Sequence, residues 1–201
     1  MKIFRHVVVY ISILLLTGCG TGLKDFSRPD AGKIQVGHST RQDVVSVMRA
    51  EPSRVGKKTI NNVMVNQMEY SYTGSNNNSD VQETGYIPVR TQYFYLNDSN
   101  VVIGAEYHSS FDTDSTRYDV SKVPLIVKGV TTHDQIVALL GAPSIEWVKP
   151  LSSGSAVQSI GYHYRNLRIS PKFMTNAYKL IVDLDVQNVV TNVDFDSKKE
   201  R

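Results

Sequence analysis

Outside its first residues the chain carries His38, His108, His133 and His163, and its single cysteine is Cys19. A zinc site needs such ligands grouped, and no H-x-x-x-H or H-E-x-x-H spacing occurs. Asp112-Thr113-Asp114-Ser115-Thr116 begins like a calcium loop. Arg117 stands where that loop needs glycine, and Val123 stands where its last glutamate belongs. Thr131-Thr132-His133-Asp134 sets hydroxyls beside a His–Asp pair, but it reads better as the start of a helix. No G-x-S-x-G elbow, phosphate loop or dinucleotide fingerprint is present. The sequon at Asn97 reads as turn chemistry. These residues point to a non-catalytic chain with no metal and no cofactor.

The N-terminus carries the most specific signal. Lys2 and Arg5 precede an apolar run, Val7 to Leu16, that ends in Leu16-Thr17-Gly18-Cys19. The run suits a signal-peptide core and falls short of the roughly 20 apolar residues of a membrane span. Its end resembles the bacterial lipobox. The resemblance implies removal of residues 1–18, a diacylglycerol thioether on Cys19 and an acyl chain on its new amino group. Gly20, which is not aspartate, implies sorting to the outer membrane, at its periplasmic face. Residues 19–33 read as the tether, with a typical span of about 20 Å.

Composition agrees with an ordinary globular body: 41% of the residues are hydrophobic and 20% charged. Once Lys2 and Arg5 are removed, Lys+Arg falls from 22 to 20 against 19 Asp+Glu. A nearly neutral chain is not expected to bind nucleic acid.

Residues 37–53, GHSTRQDVVSVMRAEPS, and 129–144, GVTTHDQIVALLGAPS, align from their glycines. Each has a hydroxyl N-cap candidate (Ser39, Thr131), one apolar helical face, and a proline that blocks continuation. Further on, Tyr70-Ser71-Tyr72 matches Tyr162-His163-Tyr164. Leu96 to Val102 matches Leu184 to Val190, each with a polar turn ending in Asn between alternating runs. The expected fold is therefore α+β: two tandem units, residues 34–112 and 113–201. Each would hold a helical element and about three antiparallel strands, with the helices on one face of the sheet.

This order of glycine, hydroxyl cap, G-x-P, aromatic strand and Asn-turn hairpin resembles the SmpA/OmlA family of outer-membrane lipoproteins. Two such units resemble the tandem architecture of β-lactamase inhibitor protein. The resemblance implies a scaffold or assembly factor that binds another envelope protein. The alternative is an inhibitor or sensor module that captures a soluble exported enzyme. Residues 73–92 form a polar insert in the first unit.

Alternation along the strands sorts the faces. Met68, Tyr70, Tyr72, Phe94, Leu96, Leu180, Val182 and Leu184 read as core, as do Val101, Ala105, Tyr107, Val189, Val193 and Phe195. Tyr93 and Tyr95 read as outward-facing contact candidates, with Glu69, Val102, His163 and Ile181 as neighbours. Gly104, Glu106, Asn192 and Asp194 are expected on the same open face.

Overall fold

The structure, a computed structural model, describes residues 25–74, 88–167 and 175–199. The leader 1–18, Cys19 and most of the insert 73–92 lie outside them. Eight strands form one antiparallel sheet in chain order: β1 Arg54–Ile60, β2 Val63–Thr73, β3 Val89–Leu96, β4 Val102–Ser109, β5 Ile145–Val148, β6 Gln158–Leu167, β7 Thr175–Leu184 and β8 Val190–Lys199. Among the described residues helix is confined to α1 Arg41–Met48, α2 His133–Leu140 and a 3₁₀ turn, Val120–Leu125.

This corrects the expected fold class. The sheet is a single eight-stranded meander and not two helix-plus-three-strand units with a helical layer. The two unforeseen strands escape for different reasons: β1 has no apolar alternation, and β5 is too short for its alternation to stand out. In β1, RVGKKTI, only Ile60 is buried. β5 has four residues, yet it joins the two halves by pairing with both β4 and β6.

The local chemistry at corresponding positions is alike. Thr40 caps α1 and Thr132 caps α2, each in a reciprocal capping box, with Asp43 and Gln135 respectively. The caps fall one residue beyond the expected Ser39 and Thr131. Ser39 and Thr131 instead accept from the backbone N–H of Gln35 and Val127. The helix exits differ: Arg49 takes the left-handed conformation, while Gly141 adopts φ 86°, ψ −170°. The side chains of Asn97 and Asp185 each accept two backbone N–H bonds, closing the β3–β4 and β7–β8 turns. Asn100 and Asn188 supply the positive φ there.

The two sheet faces carry different cores. On the Phe94 face, Val44 of α1 packs with Met68, Tyr70, Phe94, Leu96 and Val102. Ile136 of α2 packs with Ile160, Tyr162, Leu180, Val182 and Leu184. On the opposite, Tyr95 face, Ile60, Val65, Tyr95, Ile103, Ile145, Trp147, Leu151 and Ile181 form a further buried cluster. This face curls. The Asn61 side chain in the β1–β2 turn donates to the Leu151 carbonyl of the β5–β6 loop at 2.7 Å. In a flat sheet the strands beside that turn and loop, β2 and β5, would stand about 14 Å apart.

Bulges explain where the expected facing is wrong. β3 and β4 shift register between Tyr95 and Leu96, which pair with Gly104 and Val102. Ile103 is the extra residue, and it reverses the alternation. Val102, expected on the open face, is therefore buried under α1, and Val101, expected in the core, is not. The same shift between Asp183 and Leu184 buries Val190 in place of Val189. Phe195, expected in the core, is 39% exposed on the edge strand β8.

Residues 25–36 are packed along the Phe94 face. Asp25 ion-pairs with Arg90, and Phe26 meets Tyr70 edge-on. Arg28 donates to the Pro143 carbonyl at 2.6 Å and lies over Tyr107. Ile34 and Val36 join the α1 cluster, and Gly37 N–H donates to the Val102 carbonyl.

Candidate functional site

The Tyr95 face is apolar at the end where Ile60, Val65 and Leu151 meet, and polar towards the other. Glu106 of β4 sits where the two zones join. The residue is 5% exposed, and its carboxylate accepts from the Tyr95 hydroxyl at 3.1 Å. His163 Nδ1 lies 2.9 Å from its other oxygen. Burial alone would raise the Glu106 pKa. The His163 hydrogen bond and the charges of Lys179, His163 and Lys58 outweigh burial and hold it down, to about 2. Glu106 is thus a fixed anion that orients a phenol and an imidazole.

Gly104 makes room for this arrangement. It pairs with both Tyr95 and Trp147 across the neighbouring strands. A Cβ there would stand 2.8 Å from Trp147 Cδ1 and 3.1 Å from Tyr95 Cδ2.

Above this floor two ammonium groups rest on aromatic rings. Lys58 Nζ of β1 lies 5.5 Å from the ring centres of Tyr93 and Tyr95. Those two rings stack, 6.3 Å apart and within 8° of parallel. Lys179 Nζ of β7 lies 5.2 Å from the Trp147 ring. Among the described residues neither lysine has a carboxylate within ion-pair distance. Burial raises the Tyr93 phenol pKa, helped by Glu69 and Glu106 and opposed by Arg165 and Arg54.

The His108 ring lies against that of His163, centres 5.3 Å apart and tilted by 32°. Burial, then the neighbouring His163 charge, depresses its pKa to about 4, so it is neutral near pH 7. Thr116 Oγ1 lies 3.4 Å from His108 Nδ1, which on distance alone resembles a hydroxyl and its base. The hydroxyl donates instead to the His163 carbonyl at 2.7 Å. It staples the 110–118 segment to β6.

The structure gathers most of the sequence-predicted residues but not their exposure. Tyr93, Glu69 and His163 are half-buried on this face, and Glu69 pairs with Tyr93 across β2 and β3. Tyr95, expected to face solvent, is fully buried, because the curl brings Ile60 and Val65 into its cluster. Ile181 is 9% exposed in the same cluster. Glu106, expected on an open face, is buried beneath Tyr95 and His163. Val102 lies on the other side of the sheet. Sequence reasoning missed Lys58, Trp147 and Lys179 as a group. Lys58 and Trp147 sit on the two unforeseen strands. Lys179 is on β7 beside His163 of β6, and only the folded sheet brings it over Trp147.

A separate cleft of about 420 Å³ lies on the Phe94 face between residues 28–36 and α2. Ile34, Val36, Phe94, Val137 and Pro143 line it, with Arg28 across it. The chain's own N-terminal segment forms one wall.

No family model, curated protein or solved structure matches this chain.

Proposed function

We propose that this chain is a non-catalytic outer-membrane lipoprotein, anchored through Cys19, that binds another envelope protein through the Tyr95 face. The observation that carries this reading is the stack of Tyr93 on buried Tyr95, capped by Lys58. A half-exposed aromatic on a rigid floor is the kind of residue that dominates binding energies. The Glu106–Tyr95–His163 hydrogen bonds hold that floor in one geometry before a partner arrives, which lowers the ordering cost of association. Lys58 and Lys179, seated on rings, suit acidic side chains of the partner. The N-terminal segment occupies the Phe94 face and favours the opposite face for binding. The lipobox motif at Cys19 supports the anchor, and the expected relation to assembly-factor lipoproteins supports an integral barrel protein as partner.

Affinity purification of the native lipoprotein from detergent-solubilised envelopes tests the reading. An integral barrel protein should be recovered with the wild type and lost with Lys58→Glu. Recovery of a soluble exported enzyme on the same face would replace the scaffold role with that of an inhibitor or sensor. Recovery unchanged by Lys58→Glu would place the binding surface elsewhere. Cys19→Ser should leave the precursor uncleaved before residue 19 and without lipid, and detergent partitioning like the wild type would remove the anchor.

A further inference from the structure

We infer that the end of the sheet carrying Arg90, Phe111 and Asp114 faces the bilayer, so that the Tyr95 face stands upright beside the membrane. This rests on the proposed lipid at Cys19. Residues 25–36 are bound along the sheet from Arg90, at the start of β3, to Val102, at the start of β4. Asp25, the first described residue, is held by Arg90, itself hydrogen-bonded to Asp114. Five residues lie between Cys19 and Asp25, and those six steps of chain span at most about 20 Å. From Arg90 to Leu96, β3 rises about 20 Å, and the Asn97–Asn100 turn lies beyond Leu96. That turn meets the bilayer only with the anchor at full stretch, while the Arg90 end is always near it.

The surface at that end suits a headgroup layer. Phe111 stacks on half-buried Tyr72, with the Arg90 guanidinium 4.5 Å from its ring centre. Exposed Arg117 lies over the Tyr164 ring. Aromatic rings beside guanidinium groups match an interface that is apolar below and carries phosphate above. Tyr93 lies three residues along β3 from Arg90, about 10 Å further out. Its height suits the aqueous-side portion of a neighbouring membrane protein.

Fluorophore quenching in vesicles tests this orientation. In the lipidated protein the Cys19 sulfur is a thioether, so an introduced cysteine is the only free thiol. Ser115→Cys, at the Arg90 end, and Ser99→Cys, at the far turn, are each labelled. Both are incorporated into phosphatidylethanolamine–phosphatidylglycerol vesicles containing nitroxide-headgroup lipid. Quenching should be severalfold stronger at position 115, and equal or stronger quenching at position 99 overturns the orientation. Inserting about twenty Gly/Ser residues after Lys24 should weaken the signal at 115, because a long flexible tether frees the body. A signal unmoved by the insertion overturns the short bound segment as the orienting device. Mass spectrometry of the N-terminal peptide is read first. Absence of acyl groups on Cys19 sinks the anchor itself, whereas equal quenching in an acylated protein sinks only the orientation.

Discussion

The Tyr95 hydroxyl donates to the Glu106 carboxylate across β3 and β4, a diagonal pair made possible by the missing side chain at Gly104. The bond joins the apolar and polar halves of one sheet face. It ties the packing of the fold to the geometry of the proposed binding surface, and the two can be separated by substitution.

Tyr93→Ala and Tyr95→Ala should act on different quantities. Tyr95 is fully buried, so its truncation should lower stability by about 3–5 kcal/mol. Tyr95→Phe keeps the ring and removes one donor to buried Glu106, at a cost of about 1–3 kcal/mol. Tyr93→Ala should change the denaturant midpoint far less while weakening partner capture roughly thirtyfold, as loss of a 2 kcal/mol hot spot does. Equal destabilisation by Tyr93→Ala and Tyr95→Ala would show that Tyr93 is a packing residue.

Acid should weaken the fold in two overlapping windows. Glu106 is held down from its ordinary 4.5 to about 2, so its stabilising contribution is complete above the unfolded value and disappears as pH falls through that range. His108 is depressed from 6.5 to about 4. The unfolded chain takes up that proton first, so stability falls from about pH 6.5 down to about 4. Denaturant midpoints measured from pH 7 to pH 3 should decline in both steps. His108→Phe should flatten the upper step and Glu106→Gln the lower one. An upper step unchanged in His108→Phe would mean that His108 is not held neutral by burial.

Gly161→Ala should destabilise by about 1–3 kcal/mol, the usual cost of overpacking. A Cβ there would stand 2.5 Å from the Leu180 carbonyl oxygen and 2.7 Å from Ile181 Cδ1, and a backbone atom cannot yield cheaply. Thermal unfolding of the variant checks this. A melting temperature equal to the wild type would indicate that β6 and β7 separate more easily than their ten-residue pairing suggests.

Features set by a few adjacent residues were legible in the sequence. The turns closed by Asn97 and Asp185 were evident as polar breaks between alternating runs. Alternation predicts Met68, Tyr70, Leu180 and Val182 as buried, the repeat alignment adds Phe94, and all five are buried. What escaped depends on long-range geometry. β1 has no apolar stripe of its own and is held by pairing with β2. The bulges at Ile103 and Thr191 each add one residue, and a single added residue exchanges the two faces of a strand. That is why Val102 and Val101 were assigned in reverse. The curl of the sheet has no local signature, yet it turns an expected open face into a cluster that buries Tyr95, Ile181 and Glu106.

The most direct test of the binding face is photo-crosslinking in intact envelopes from p-benzoylphenylalanine at position 93, with position 64 as control. Met64 is 65% exposed and lies on the opposite face of the same strand pair. Position 93 should give one discrete adduct with an integral envelope protein, and position 64 should give none. An adduct from position 64 with none from position 93 would contradict the assignment of the Tyr95 face as the binding surface.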